Sequence, residues 1–374
     1  MKDTGDGATR DSAFAGLESI TKGKVAIAAH HYQRPEIVAR AALTGDSYRL
    51  AVAASRSDAE YIVLCGVRFM AESAAILARE GQKVLIPDMN AGCPMADMID
   101  RGIAENTLSV LAGFSTKPII PVVYMNSHAD LKALSGERGG SVCTSGNARK
   151  ILAHYLDNGN SVFFAPDFNL GMNTARDLGI PTTDIRRVTR DGRIVRIDAQ
   201  KSDTKESLER VRLFLWDGFC HVHKAFTTDD VGEARKAFPG SRVIVHPECS
   251  PEVVALADEA GSTESMYNTL RDAEAGSSWI IGTEGRFVER MAATFSDKTI
   301  RPLRVSYCHN MNRIDEASLD KTLSDIAWSE NNLKEARGGA AHHRIPSLVT
   351  VVGSERQHAK EALDAMVRIS ESGK

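Results

Sequence analysis

The sequence predicts an α/β protein with parallel sheets, organised as three related blocks. Three observations carry this: apolar runs of strand length alternate with helical patterns, the runs recur at near-constant spacing, and three cysteines hold similar places in the blocks. The runs are VAIAAHHY (25–32), YIVLCG (61–66), KVLIPD (83–88), IIPVVYMN (119–126), SVFFAPD (161–167), RVIVHPE (242–248) and SSWIIGTE (277–284). Continuous apolar character suits strands buried on both faces, as in parallel sheets. Between them lie helical patterns such as EIVARAAL, FMAESAAILARE, ARKILAHYL and EVVALADEA. Such alternation implies right-handed strand–helix–strand crossovers.

The runs fall into register as three blocks. The first strand of each ends at His30, Tyr124 or His246, the second near Cys65, Cys143 or Gly261, and the third at Asp88, Asp167 or Glu284. The second and third ends stand 23, 24 and 23 residues apart, which is the mark of a repeated unit. A TIM barrel is the competing architecture, since about eight strands are available. The block reading divides the chain into a mobile N-terminal segment (1–22), a first domain (23–110, completed by 309–374), a second (111–217) and a third (218–308). Within the second, RRVTRDGRIVRID (186–198) sets Asp191-Gly192 between alternating residues, a hairpin signal for a projecting surface ribbon. The closing stretch ERQHAKEALDAMVRIS reads as an amphipathic helix packing back on the body.

Composition narrows the function classes. A net charge of −3 with scattered Lys and Arg gives no nucleic-acid surface. No stretch approaches the roughly 18 apolar residues of a membrane span. The polar first 20 residues lack a signal-peptide core, so a cytoplasmic location with reduced cysteines is expected. Six cysteines in a reducing compartment favour metal binding, catalysis or burial over disulfides, and no C-x-x-C pair points to a zinc ribbon.

In open α/β sheets, ligands bind outside the carboxyl ends of the strands. Those ends carry His30, Tyr32, Tyr124, Asn126, Asp167, His246 and Glu248. Any one of these alone is more often a packing or surface residue, whereas the whole set at equivalent positions is a candidate site. Asp46 and Ser47 in GDSYRLA read as a helix cap, as do TSGN (144–147) and GST (261–263). Hydroxyl-rich helix starts are also good carboxylate or phosphate sites. None resembles a P-loop or dinucleotide fingerprint. Cys65, Cys143 and Cys249 are expected as buried, inert thiols. Cys93, Cys220 and Cys308 lie in loop-like segments after the third strand of each block. Three thiolates, one per block, can meet on a pseudo-threefold axis, and a cubane cluster so held keeps one iron open. Independent loop thiols are the alternative. A zinc-type metalloenzyme using His30, His31, His223 and His246, and a non-catalytic iron–sulfur sensor, are the competing functions.

The stretches AHHYQRPEI, GDS, GVRFMAE, NAGCPMADM, YMNS, CTSGN, PDFNLG, GFCHVH, HPEC, GSTE and CHNM, in this order from about residue 24 to 315, resemble the successive motifs of the quinolinate synthase (quinolinate synthetase A) family. The resemblance implies three similar αβα sandwich domains around a pseudo-threefold axis with a 4Fe–4S cluster at the centre, held by Cys93, Cys220 and Cys308. It implies a substrate site lined by His30, Tyr32, Ser47, Tyr124, Asn126, Ser145, His223, His246, Glu248, Ser262 and Thr263. The implied reaction condenses iminoaspartate (iminosuccinate) with dihydroxyacetone phosphate to quinolinate, phosphate and water in de novo NAD biosynthesis. An aspartate oxidase or dehydrogenase would supply the imine. On this reading Glu248, with His246 or Tyr32, carries proton transfers, Tyr124 and Asn126 orient the carbon chain, and the cluster iron is a Lewis acid. Phe168 stands in PDFNL where the family usually has Lys or Gln, and Asn312 where Lys is frequent after CHNM, so a divergent paralogue with a related anionic substrate is the nearest alternative.

Overall fold

The computed structural model describes residues 23–197, 208–335 and 345–372; the predicted mobile segment 1–22 and the last residue of the predicted hairpin lie outside these. The first of two units is Met1–Gly92 with His309–Thr350. It begins with β1 (Val25–His30), α1 (Pro35–Ala39), β2 (Leu43–Gly45), α2 (Ser47–Arg56), β3 (Tyr61–Cys65), α3 (Arg68–Leu77) and β4 (Lys83–Leu85). The four strands pair in parallel in the order β4-β3-β1-β2. β3 is buried at every position, which is why it reads as an unbroken apolar run. Asp46 caps α2 by accepting the Arg49 N–H at 2.8 Å, which makes Ser47 the first helical residue. In α3 every residue from Phe69 to Ile76 is buried, as expected of a helix that is apolar nearly all round. Its buried Glu72 pairs with Arg68 one turn away at 3.0 Å.

The second unit is Cys93–Cys308 with Val351–Lys374. α4 (Arg101–Ala112) leads to β5 (Ile119–Tyr124), α5 (Ala129–Glu137), β6 (Ser141–Cys143), α6 (Ala148–Asp157), β7 (Ser161–Ala165), α7 (Phe168–Asp177), β8 (Ile185–Val188), β9 (Ile194–Arg196) and β10 (Leu213–Trp216). These strands form one sheet, β6-β5-β7-β10-β8-β9. Two helices, α8 (His221–Lys224) and α9 (Thr228–Ala237), precede a third sheet. It is built from β11 (Arg242–Val245), α10 (Pro251–Leu256), β12 (Glu259–Ala260), α11 (Thr263–Asp272), β13 (Ser278–Gly282), α12 (Gly285–Thr294) and β14 (Thr299–Pro302), in the order β12-β11-β13-β14. Phe226, Val231, Val243, Val245, Val253, Ile280 and Leu303 form the core on this sheet. The chain then returns to the first unit with α13 (Glu316–Glu335) and β15 (Leu348–Val349), which pairs antiparallel with β4, and ends in the second with α14 (Gly353–Glu371).

One strand order, second-first-third-fourth, recurs in all three sheets: β2-β1-β3-β4, β6-β5-β7-β10 and β12-β11-β13-β14. The separate sheets exclude a TIM barrel. They also correct the register of the first block. The strand ending at Cys65 is the third strand, the counterpart of β7 and β13, while the second strand is β2. Asp88 follows the fourth strand, so the counterpart of Asp167 and Glu284 is Val67. These three residues are the N-caps of α3, α7 and α12. The error has a physical source: β2 and β12 are three and two residues long, too short to leave an apolar run.

The Asp191-Gly192 hairpin forms, with Gly192 at φ +83°. It does not project as a free ribbon, because β8 joins the sheet in parallel beside β10 and only β9 lies at the edge. The closing helix α14 packs on α5, α6 and β6 of the second sheet, where the block reading attached it to the first. Gly136 makes that packing possible: a Cβ there would stand 1.9 Å from the carbonyl oxygen of His358. Gly136→Ala is therefore expected to force the two helices apart and cost about 1–3 kcal/mol, read as a lowered thermal midpoint with α14 still helical by circular dichroism. Among the described residues, no helix is long and apolar enough to cross a membrane.

Candidate active site

Cys93, Cys220 and Cys308 each follow the fourth strand of a sheet, not the third as the block register had it. The same hydrogen bond seats all three loops. The first amide of the helix after the third strand donates to the carbonyl two residues before the cysteine: Arg68 N–H to Ala91 O at 2.8 Å, Phe168 N–H to Gly218 O at 2.9 Å, and Gly285 N–H to Ser306 O at 2.7 Å. The leading amides of a helix have no partner within it, so a carbonyl placed there is held firmly. In two loops a carboxylate adds a second tie. Asp167 Oδ2 accepts the Cys220 N–H at 3.2 Å, and Glu284 Oε1 accepts the Cys308 N–H at 3.2 Å. Gly218 is required for the middle loop to seat, because a Cβ would lie 2.4 Å from the Pro166 carbonyl oxygen.

The six cysteines are free; Cys65, Cys143 and Cys249 are buried, whereas Cys93, Cys220 and Cys308 are partly exposed. Burial pushes the Cys93 thiol up to about 12, and Cys308 and Glu248 add to the shift. Burial also pushes the Cys220 thiol well up, with Glu248, Cys93 and Cys308 adding. The three thiols are thus close enough for charge on one to oppose charge on another. A cation among them reverses that balance, and soft thiolates favour iron–sulfur or zinc chemistry. The donor set fits a metal cluster.

A carboxylate–imidazole group adjoins the thiols. His223 Nδ1 lies 2.6 Å from Glu248 Oε2, and His223 Nε2 lies 3.0 Å from Thr283 Oγ1. An ionised carboxylate only accepts, so His223 carries its proton on Nδ1. The His223 and His246 rings stack at 4.3 Å with 19° between planes. Burial would push the Glu248 carboxyl up, but the imidazole groups beside it and the hydrogen bonds from His223 and Tyr124 outweigh burial and hold it below the usual carboxylate range. Burial and His223 hold the His246 imidazole down at about 3, so it is neutral. Its Nδ1 accepts the Glu248 backbone N–H at 3.3 Å, which leaves the ring proton on Nε2. Tyr124, His223, His246 and Glu248 are all at most 5 % exposed.

The same turn recurs in the first unit, where the Tyr32 N–H donates to His30 Nδ1 at 3.1 Å and the two rings meet edge-on at 4.6 Å. Asn126 stands two residues past the end of β5, as Tyr32 does past β1, while Glu248 stands three past β11. Ser262 caps α11 by accepting the Ser265 N–H at 3.2 Å, and Thr263 is the first helical residue. The TSGN turn is not a hydroxyl-capped helix start: Asn147 precedes α6 and its side chain accepts the Thr144 N–H at 2.6 Å, leaving Ser145 partly exposed in the turn. Gly146, which follows Ser145, comes close to Ser262: a Cβ there would stand 3.5 Å from Ser262 Oγ. Ser47, as the first residue of α2, holds the corresponding place in the first unit.

Three residues beyond the implied ligands and substrate-site lining take part. Asp167 and Glu284 hold cysteine amides, as above. Asn173 of α7 donates to the carbonyls of Pro247 and Cys249, at 2.9 Å each, and so fixes the segment that carries Glu248. Asp167 stood in the strand-end set, but nothing in the sequence distinguishes Asn173 from a solvated helical residue. Phe168 opens α7 with its ring 4.2 Å from the Arg187 guanidinium, which itself pairs with Asp217 at 2.8 Å.

The sequence matches the quinolinate synthetase A protein family over residues 17–368. A quinolinate synthase of Streptomyces coelicolor is 46% identical over 315 residues, covering 81% of this chain and 77% of that protein. One of Lysinibacillus sphaericus is 38% identical over 362 residues, covering 96% and 92%. One of Geobacillus kaustophilus is 41% identical over 347 residues, covering 92% and 89%. With a match that runs through every strand and loop of the site, the chain belongs to the quinolinate synthetase A family.

Proposed function

We propose that the protein is a quinolinate synthase of NAD biosynthesis that condenses iminoaspartate with dihydroxyacetone phosphate, releasing phosphate and water, at a 4Fe–4S cluster held by Cys93, Cys220 and Cys308. The name carried by the curated relatives supports the product. The observation that carries the cluster is the repeated helix-amide bond that presents each of the three cysteines. The recurring strand order supports the wider reading of three related αβα domains around that centre. A cytoplasmic setting, with an aspartate oxidase or dehydrogenase supplying the imine, completes the proposal.

A cluster with three cysteine ligands offers one iron as a Lewis acid toward substrate oxygen. The chain's own groups do the rest. Ser47 and Thr263 at helix starts, with Ser262 and Ser145, hold the carboxylates and phosphate. Glu248 stays ionised and fixes the hydrogens of Tyr124 and His223. His246 offers a neutral Nε2–H to oxygen that gains charge or departs. Tyr124 and Asn126 orient the carbon chain, and Tyr32 shares in proton movement with Glu248 and His246. Anaerobic incubation of the iron- and sulfide-loaded protein with both substrates is expected to yield quinolinate; its absence would overturn the reaction assignment.

A zinc-type metalloenzyme is favoured by one observation: ligand atoms of Cys220, His223 and Glu248 lie within 4.8 Å of one another. His223 already uses Nδ1 on Glu248 and Nε2 near Thr283, so zinc would have to break the bond between two of its own ligands. Metal analysis separates the readings, because a colourless, zinc-loaded, active protein is expected only of the second.

A further inference from the structure

We infer that Asp167 and Glu284 are positioning residues for the proposed cluster, their carboxylates holding the backbone amides of Cys220 and Cys308 and so fixing two of the three ligand loops. This rests on the cluster reading given above. Both residues are wholly buried, and both stand at the same point of the repeat, as N-cap of the helix after the third strand. Each divides its oxygens between two tasks. Asp167 Oδ1 accepts the Leu170 N–H at 2.7 Å while Oδ2 takes Cys220. Glu284 Oε2 accepts the Arg286 and Phe287 N–H groups at 2.8 and 3.2 Å while Oε1 takes Cys308. Helix capping needs only the first oxygen. The second is aimed at a cysteine, twice, from sites that are equivalent in the fold and far apart in sequence. The first block has Val67 at this place, whose side chain offers no acceptor; there the Arg68-to-Ala91 bond seats the Cys93 loop, and the loop's own Asp88 accepts the Asn90 N–H at 2.8 Å.

The geometry has two consequences. An amide engaged by a carboxylate does not swing to meet a sulfur, and hydrogen bonds to sulfur and nearby charge set a cluster's reduction potential. Outer partners also govern how tightly a metal is kept, and their loss typically costs about 10–100-fold in affinity. The amide variants separate positioning from capping. Asn caps a helix as well as Asp, so Asp167→Asn can still accept from Leu170, but its remaining amide nitrogen cannot accept from Cys220. Glu284→Gln does the same to Cys308.

The experiment reconstitutes wild-type protein, Asp167→Asn, Glu284→Gln and the conservative pair Asp167→Glu and Glu284→Asp with iron and sulfide under anaerobic conditions. It then follows cluster loss to an iron chelator and records the reduced-state electron paramagnetic resonance signal and midpoint potential. The amide variants are expected to lose cluster about 10–100-fold faster, with an altered signal and a raised potential, and the carboxylate variants to recover part of the loss. Asp100→Asn, which alters the cap of α4 without touching a cysteine loop, sets the change that capping alone produces. Wild-type rates and signal in either folded amide variant overturn the inference. A wild-type protein that takes up no cluster instead overturns the functional reading on which it rests.

Discussion

Cys220→Ala is expected to give a folded chain that takes up no stable 4Fe–4S cluster and makes no quinolinate. Three thiolates are the minimum set in this site, and removal of one leaves two irons without a protein ligand. The same loss is expected of Cys93→Ala and Cys308→Ala, because all three loops are seated by one hydrogen-bond pattern. Cys65, Cys143 and Cys249 make the control. All are 0% exposed, at or near strand ends, and Cys249 sits in the core of the third sheet with its Sγ 3.8 Å from the Gly282 carbonyl oxygen. Alanine at those positions removes packing, worth about 1–2 kcal/mol, and leaves the cluster in place. Anaerobic iron and sulfide counts across the six variants check the division; full cluster in the Cys220 variant contradicts it.

Glu248→Gln is expected to keep the cluster and lose about 10²–10⁴-fold in turnover. The carboxylate is 2% exposed and accepts from His223 and Tyr124 at once. Glutamine keeps the volume and one acceptor, but sets an N–H₂ group against one of those donors. Either the His223 tautomer or the Tyr124 hydroxyl must then turn, and His246, stacked on His223 at 4.3 Å, loses its fixed neighbour. Steady-state quinolinate formation beside iron content tests this. Turnover near that of the wild type removes Glu248 from the chemistry, while loss of cluster reassigns it to a structural role.

The sequence carried the strand-end chemistry well and the strand count poorly, for one reason. His30 and Tyr124 end six-residue strands and His246 follows a four-residue one, and all three strands are apolar enough for their ends to be easy to locate. The two-residue β12 and three-residue β2 pair on one side only and leave no run, so the first block slipped by a whole strand and Asp88 was matched with Asp167 and Glu284. The cysteines kept their equivalence despite the slip, because each follows the fourth strand of the repeated order. Hidden from any linear reading were the bonds that seat them: the amides of Arg68, Phe168 and Gly285 are 25, 52 and 23 residues from Cys93, Cys220 and Cys308. Glu284 was legible as a strand end and Asp167 as part of the polar set, yet a cap and a cysteine anchor look the same in sequence. The β8–β9 hairpin was legible from its Asp-Gly turn, but its place beside β10 depends on a parallel pairing that the turn does not encode.

The most direct test of the account joins metal and activity in one sample. Anaerobically reconstituted protein is given iminoaspartate, generated in place, and dihydroxyacetone phosphate, while quinolinate and bound iron and sulfide are measured as a chelator strips the metal. The account predicts that quinolinate formation falls in step with cluster content and returns on reconstitution. Quinolinate made at an unchanged rate by fully stripped, iron-free protein would contradict it.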